Sequence, residues 1–235
     1  MIPAIDIKKA RYERKFLVSE LDRYEVESSI KSNPAAFSEI FHERHVNNLY
    51  LDTINMESYH DNVIGSSNRI KVRIRWYGEL FGSIKAPVME LKIKNNELGT
   101  KQSYRLNPFI LDEKFSMRRL IEEVILKSNL PEWLVDAVKS LKFALLNRYK
   151  RRYFMSSDRR YRLTLDTELE FYRIGQWKNS FLERIKNDGC VILELKYGQN
   201  ADSEAQNITN HFSFRLTKSS KYVEGIEILN ECYQN

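Results

Sequence analysis

Three glutamates each stand two residues before a lysine: Glu13 and Lys15 in "YERKFLV", Glu90 and Lys92 in "MELKIK", Glu194 and Lys196 in "ILELKY". A fourth segment, "NRIKVRIRWYG" at 68–78, sets Arg69, Lys71, Arg73 and Arg75 at one parity, with Ile70, Val72, Ile74 and Trp76 at the other. Side chains two apart share a face of a strand. Each segment read as a strand therefore carries an ionic face and an apolar one. Four like charges along one face repel one another, so such a face is either solvated surface or a wall built for an anion. The glutamates narrow the anion. They would repel the phosphates of a nucleic acid, whereas a metal–polyphosphate complex needs carboxylates for the cation and bases for the phosphate oxygens.

These faces need strands to hold them. Residues 10–18, 46–53, 68–77, 88–95, 101–107, 143–154, 160–172 and 190–197 read as strands, separated by turn signals such as "NNELG" and "LNP". Helical patterns cover about 19–32, "MESYHDNV", 112–140 with Pro131 placed for a first turn, "ADSEAQNITNHFSF" and "SSKYVEGIEILNECY". Antiparallel strands interrupted by helices make an α+β protein with one dominant sheet. On "RRYRLTLD", Arg160, Arg162, Thr164 and Asp166 oppose Tyr161, Leu163 and Leu165; in "NRYKRRYF" both faces carry bases and parity does not decide. Two architectures fit. An open sheet packs its apolar face on helices and leaves the ions in solvent. A closed barrel packs the apolar face outward on helices and lines its interior with ions that must be hydrated or liganded.

The bulk properties agree with an anionic partner and exclude several classes. The 235 residues carry a net charge of +6, with a pI near 9.1. With only 8 glycines and 5 prolines, no low-complexity linker divides the chain, and one domain over 1–235 is expected. No window approaches a membrane span, and "MIPAIDIKKARYERKF" has no signal-peptide apolar run. Cys190 and Cys232 form no metal pattern and suit a reducing cytoplasm, the expected location. The P-loop pattern is absent, and His42, His45, His60 and His211 form no cluster. Trp76, Tyr149, Tyr153 and Tyr172 read as packing residues rather than platforms for a base, and Glu122, Glu123, Asp202 and Glu204 as helix-surface acids.

Taken in order, "YERKFLV", "LYLDT", "RIRWYG", "MELKIK", "NRYKRRYF", "RYRLTLDTEL", "ILELKY" and "TKSSKY" resemble the triphosphate tunnel metalloenzymes, and within them the VTC (polyphosphate polymerase) domain. "RxRWYG" with "RLTLDTEL" sets the chain apart from the adenylate-cyclase and thiamine-triphosphatase branch, whose start is a cleaner ExExK. Here Arg11 stands where the first of those glutamates would be. The resemblance implies a closed barrel of about eight antiparallel strands with helices outside and a basic tunnel within. Carried over by position, it implies phosphate-binding and catalytic roles for Lys15, Arg73, Arg75, Lys92, Arg151, Arg162, Lys218 and Lys221, with Tyr149 and Ser220 completing the phosphate site. It implies Glu194 as the principal ligand of Mn²⁺ or Mg²⁺, with Glu13 and Glu90 as further acidic ligands. Lys94 stands where eukaryotic relatives tend to have histidine; Arg69, Lys71 and Arg160 could extend the basic lining.

The activity so implied moves the γ-phosphoryl of ATP onto inorganic polyphosphate. The same tunnel with water as acceptor makes a metal-dependent tripolyphosphatase or nucleoside triphosphatase, and a non-catalytic polyphosphate-binding module is the third class. Nucleic acid is not expected as a partner. The regulatory domain and membrane helices of eukaryotic vacuolar relatives have no counterpart here, which leaves a separate membrane partner open.

Overall fold

A computed structural model describes residues 10–232. The stretch read for a signal peptide and the final residues 233–235 fall largely or wholly outside that range. Eleven strands run in chain order as β1 (Arg11–Val18), β2 (Ser38–Asp52), β3 (Asn68–Tyr77), β4 (Gly82–Ile84), β5 (Val88–Asn95), β6 (Leu98–Arg105), β7 (Phe109–Leu111), β8 (Lys142–Met155), β9 (Tyr161–Tyr172), β10 (Arg184–Asn187) and β11 (Val191–Gly198). The helices are α1 (Arg23–Lys31), α2 (Glu57–Val63), α3 (Met117–Arg119), α4 (Glu132–Lys139), α5 (Asp202–Thr209) and α6 (Lys221–Glu231). None of the described helices is long and apolar enough to cross a membrane.

The main sheet pairs in the order β9, β11, β1, β6, β5, β3, β2, β8, and β8 pairs again with β9. Eight antiparallel strands thus close on themselves, as the barrel reading expects. The seam is uneven. β1 follows β11 from Arg11↔Gly198 to Val18↔Val191, whereas β1 meets β6 only at Arg11↔Gly99.

Closure separates the two faces of each strand. Outward, Leu49, Ile74, Trp76, Met89 and Leu91 pack under α4, the α3 segment and its continuation Leu120–Ile125. On the opposite side, Phe16, Leu163, Leu165, Leu193 and Leu195 pack under α1 and α5. Asp22 starts α1 by accepting from the backbone N–H of Tyr24 and Glu25, and Glu25 returns the bond to Asp22, a capping box. The third apolar cluster lies inside the ring. Leu145, Phe171 and Ile192 meet Tyr222, Ile226 and Leu229 of α6 there, so α6 stops one end.

Register shifts explain where strict alternation fails. The pairing of β2 with β8 shifts between Glu39 and Phe41 and again between Phe41 and Arg44, so "SEIFHERH" does not alternate although it is strand. β9 shifts against β8 near Glu168, which adopts a left-handed φ of 51°. Beyond it Leu169 and Phe171 face inward in place of the even-numbered residues. The helical region expected at 112–140 is two short pieces, and the small β4–β7 pair and β10 add strands that alternation does not reveal.

Candidate functional site

Inside the ring, next to α6, lies a cavity of about 80 Å³. β3 contributes Lys71, Arg73 and Arg75; β1 gives Lys15, β5 Lys92, β8 Arg151, and β11 Glu194 and Lys196. The start of α6 supplies Ser220, Lys221 and Tyr222, while Tyr50 and Tyr149 complete the wall. Eight of these thirteen residues are cations and only one is an acid. The ionic strand faces therefore point inward, and alternation is what delivers them to one place.

The cations are held by four carboxylates, each buried. Glu194 faces Lys15 at 3.4 Å, Lys196 at 2.7 Å, Arg151 at 3.5 Å and Lys221 at 3.6 Å. Asp166 takes two hydrogen bonds of 2.5 Å from Arg151 and an ion pair of 2.7 Å from Lys221. Glu13 meets Lys92 at 2.8 Å and Lys196 at 3.4 Å. Glu90 accepts from Arg73 at 2.9 and 2.7 Å and from Lys101 at 2.5 Å. Burial pushes the Glu194 carboxyl upward, but Lys196, Lys15, Lys221 and Arg151 hold it well below the usual carboxylate range. Asp166 is lowered in the same way: burial raises it, and Arg151 and Lys221 outweigh burial.

Lys71 is the exception. It makes no ion pair among the described residues and donates only to Ser220 Oγ at 2.7 Å. Burial, reinforced by Lys15, Lys92, Arg69 and Arg73, drives its ammonium well below the ordinary lysine value. Burial also lowers Lys92, to about 8, although Glu13 opposes the shift. A cavity with such strongly depressed lysines gains when an anion enters.

The hydrogen bonds of Arg75 go to neutral neighbours. Arg75 donates to Asn48 Oδ1 at 2.8 Å and to the Tyr149 hydroxyl at 3.2 Å. Asn48 in turn donates to Asn147 Oδ1 at 2.8 Å. The Tyr149 ring carries Arg151 at 5.2 Å and Lys221 at 5.0 Å. Ser220 caps α6, accepting from the Val223 N–H, so the positive end of that helix joins the cavity wall.

The sequence-derived candidates separate by position. Lys15, Arg73, Arg75, Lys92, Tyr149, Arg151, Glu194, Ser220 and Lys221 line the cavity. Glu13 and Glu90 sit behind it, bound to lining cations. Arg162 and Lys218 are exposed and do not line it. Lys94 and Arg69 lie alongside one another, paired across β5 and β3. Arg160 is spent on Asp158 and Glu204. Within "KRR", Lys150 pairs with Glu168 and Arg152 with Glu27 and Glu39, leaving Arg151 to the cavity. Sequence reasoning missed Asp166, Tyr50 and Tyr222. Asp166 had a signal, since it shares parity with Thr164 and Arg162, but an isolated acid at a strand position has no distinguishing neighbour in sequence.

A divalent cation fits part of this acid set. Among the described residues no three His, Cys, Asp or Glu side chains gather closely enough to hold a metal alone. Glu13 and Glu194, however, face one ammonium, Lys196, and Glu13 Oε1 is buried without a hydrogen bond. Two hard oxygen donors completed by substrate phosphate is the ligation magnesium favours. Glu90, committed to Arg73, Arg75 and Lys101, is less free to take part.

The structure resembles an adenylyl cyclase candidate from Hippeastrum described as having a dominant triphosphatase activity, at 12% identity and a TM-score of 0.54, covering 93% of this chain and 95% of that one. It also resembles adenylate cyclase candidates from Bacillus halodurans (17%, TM-score 0.52, 92% and 96% covered) and Vibrio parahaemolyticus (10%, 0.52, 93% and 98%). No curated protein matches the chain. The family model of the VTC domain matches residues 10–230, which takes in every strand of the ring and nearly all of α6. The chain belongs to the VTC domain family.

Proposed function

We propose that residues 10–230 act as one tunnel domain that binds ATP and transfers its γ-phosphoryl to the end of an inorganic polyphosphate chain, releasing ADP. The observation that carries this reading is the cavity wall of eight cations against one acid, drawn from five strands and a helix start. Phosphoryl transfer needs in-line placement and charge neutralisation more than a covalent nucleophile. Arg73, Arg75 and Arg151 supply planar forks for phosphate oxygens, and Lys15, Lys71, Lys92 and Lys221 supply point charges around them. A terminal phosphate acceptor is already anionic, so no general base is required.

Binding on this reading is an exchange of partners. The cavity of about 80 Å³ is tight because the cations fold onto Glu13, Glu194 and Asp166. Phosphate oxygens take over those cations, and the released Glu194 and Glu13 are then available to Mg²⁺ or Mn²⁺. A bound metal would neutralise oxygens on the transferred and leaving phosphates. Arg162 and Lys218, both exposed, are proposed to guide anionic chain ends rather than to hold the reacting group.

The test is to incubate the protein with ATP and Mn²⁺ or Mg²⁺ and resolve the products on a polyphosphate gel. A ladder of chains with ADP supports the polymerase. Orthophosphate without polymer assigns water as the acceptor and makes the domain a hydrolase. Intact ATP and intact tripolyphosphate with either metal reduce it to a binding module.

A further inference from the structure

One cation near the cavity is held by rings instead of acids. The Arg44 guanidinium lies 4.1 Å from the Tyr77 ring centre, 4.8 Å from Tyr153 and 5.6 Å from Phe41. It donates weakly to the Tyr153 hydroxyl at 3.4 Å and makes no ion pair among the described residues. Tyr153 is buried, but Phe41 and Tyr77 keep 52% and 48% of their surface exposed. The two half-exposed rings and the arginine, which has no acidic partner among the described residues, leave planar surface open to solvent.

Strand register places this cluster at the mouth of the cavity. Tyr77 follows Arg75 by two residues on β3, and Tyr153 follows Arg151 by two on β8, so both continue the lining faces outward. Arg44 pairs with Arg151 across β2 and β8, and the bulge between Phe41 and Arg44 sets both beside the Tyr153 ring. The Arg151 guanidinium also lies 5.9 Å from the Tyr153 ring, linking cavity and cluster. From Tyr149 to Tyr153 the strand covers about 13 Å. A nucleotide with its terminal phosphates at Tyr149 and Arg151 therefore has its base within reach of the rings.

We propose that Phe41, Arg44 and Tyr77, backed by Tyr153, form a stacking subsite for the base of a nucleoside triphosphate whose phosphates occupy the tunnel, a proposal that rests on the tunnel reading above. Stacking on aromatic and guanidinium planes accepts any base and gains with ring area. The subsite therefore favours purine over pyrimidine nucleotides, and either over tripolyphosphate.

Calorimetric titration with Mg²⁺ tests this, comparing the β,γ-imido analogue of ATP with tripolyphosphate. The analogue should bind about tenfold more tightly per matched phosphate charge, and Tyr77→Ala and Phe41→Ala should each erase most of that preference. Both rings are half exposed, so the variants keep the core. Arg44→Lys keeps the charge but loses the plane, and should reduce the preference while holding tripolyphosphate affinity within about twofold. If tripolyphosphate binds and the analogue gains nothing, or if all variants weaken both ligands equally, the base subsite is wrong and the tunnel reading stands. If neither ligand binds, the tunnel reading fails and the subsite falls with it.

Discussion

At the scale of single residues, the tunnel is a set of lysines and arginines whose charge depends on what surrounds them. Lys92 sits at about 8 because burial outweighs Glu13, and Lys71 is depressed further with no acid beside it. An anion favours the charged form, so its arrival raises both values and draws protons from solution near pH 8. Above that pH the free protein holds fewer protons, and binding weakens by up to about tenfold per pH unit for each proton required. Titrations of tripolyphosphate in two buffers of different ionisation heat should show this uptake. Comparison with Lys92→Met removes the ligand's own protonation, and an identical uptake in that variant would mean Lys92 is charged from the start. Glu194 makes a complementary case. Glu194→Gln removes the acid shared by Lys15, Lys196, Arg151 and Lys221. We expect metal-dependent turnover to fall by about 10²-fold or more while metal-free tripolyphosphate binding is retained or tightened. Normal turnover would remove Glu194 from the metal assignment. The lining of Arg73, Arg75 and Lys92 was legible because each stands in an alternating run. Arg44 was not, since the bulge between Phe41 and Arg44 breaks the alternation of "FHERH" and brings Phe41 to it, while Tyr77 reaches it from β3 through the pairing Val46↔Tyr77.

At the scale of elements, α6 does two jobs that its sequence announces only in part. Its amphipathic pattern made it a helix, but nothing local says that its apolar face fills the inside of a ring. Gly225 shows how close the fit is: a Cβ there would lie 2.5 Å from Phe171 Cδ1 and 2.6 Å from Leu145 Cδ2. In an exposed helix, Gly→Ala gains about 1 kcal/mol of propensity. Here the clash costs about 1–3 kcal/mol and reverses the sign. Gly225→Ala should thus lower the melting temperature and, because Ser220 and Lys221 begin the same helix, weaken tripolyphosphate binding as well. A more stable variant with unchanged affinity would show that α6 is not seated on Phe171 and Leu145. The bulge at Glu168 explains why this end was illegible: parity carries the ionic face as far as Asp166, and the shift then turns Leu169 and Phe171 inward.

At the scale of the whole molecule, alternation foretold an ionic face on each strand but could not say that the faces meet. Closure depends on pairings between segments far apart in sequence, and its weakest link joins β1 to β6 at the single pair Arg11↔Gly99. Lys15 on one side of that seam and Lys92 on the other both line the cavity, and the surrounding cations repel one another wherever acids do not intervene. A polyphosphate anion bound by both lysines would bridge the seam. Ligand at about 100 times its dissociation constant should add about 2.7 kcal/mol of stability. For a chain of this size that is a rise of about 5–11 °C in melting temperature. Sodium chloride at matched ionic strength only screens the charges and should give much less. Hydrogen exchange locates the effect: amides of 11–15 and 99–102 should gain protection with tripolyphosphate, beyond the general slowing that stabilisation brings. Protection confined to α6, or a melting shift that chloride reproduces, would mean that the anion does not span the ring and that the seam is held by the protein alone.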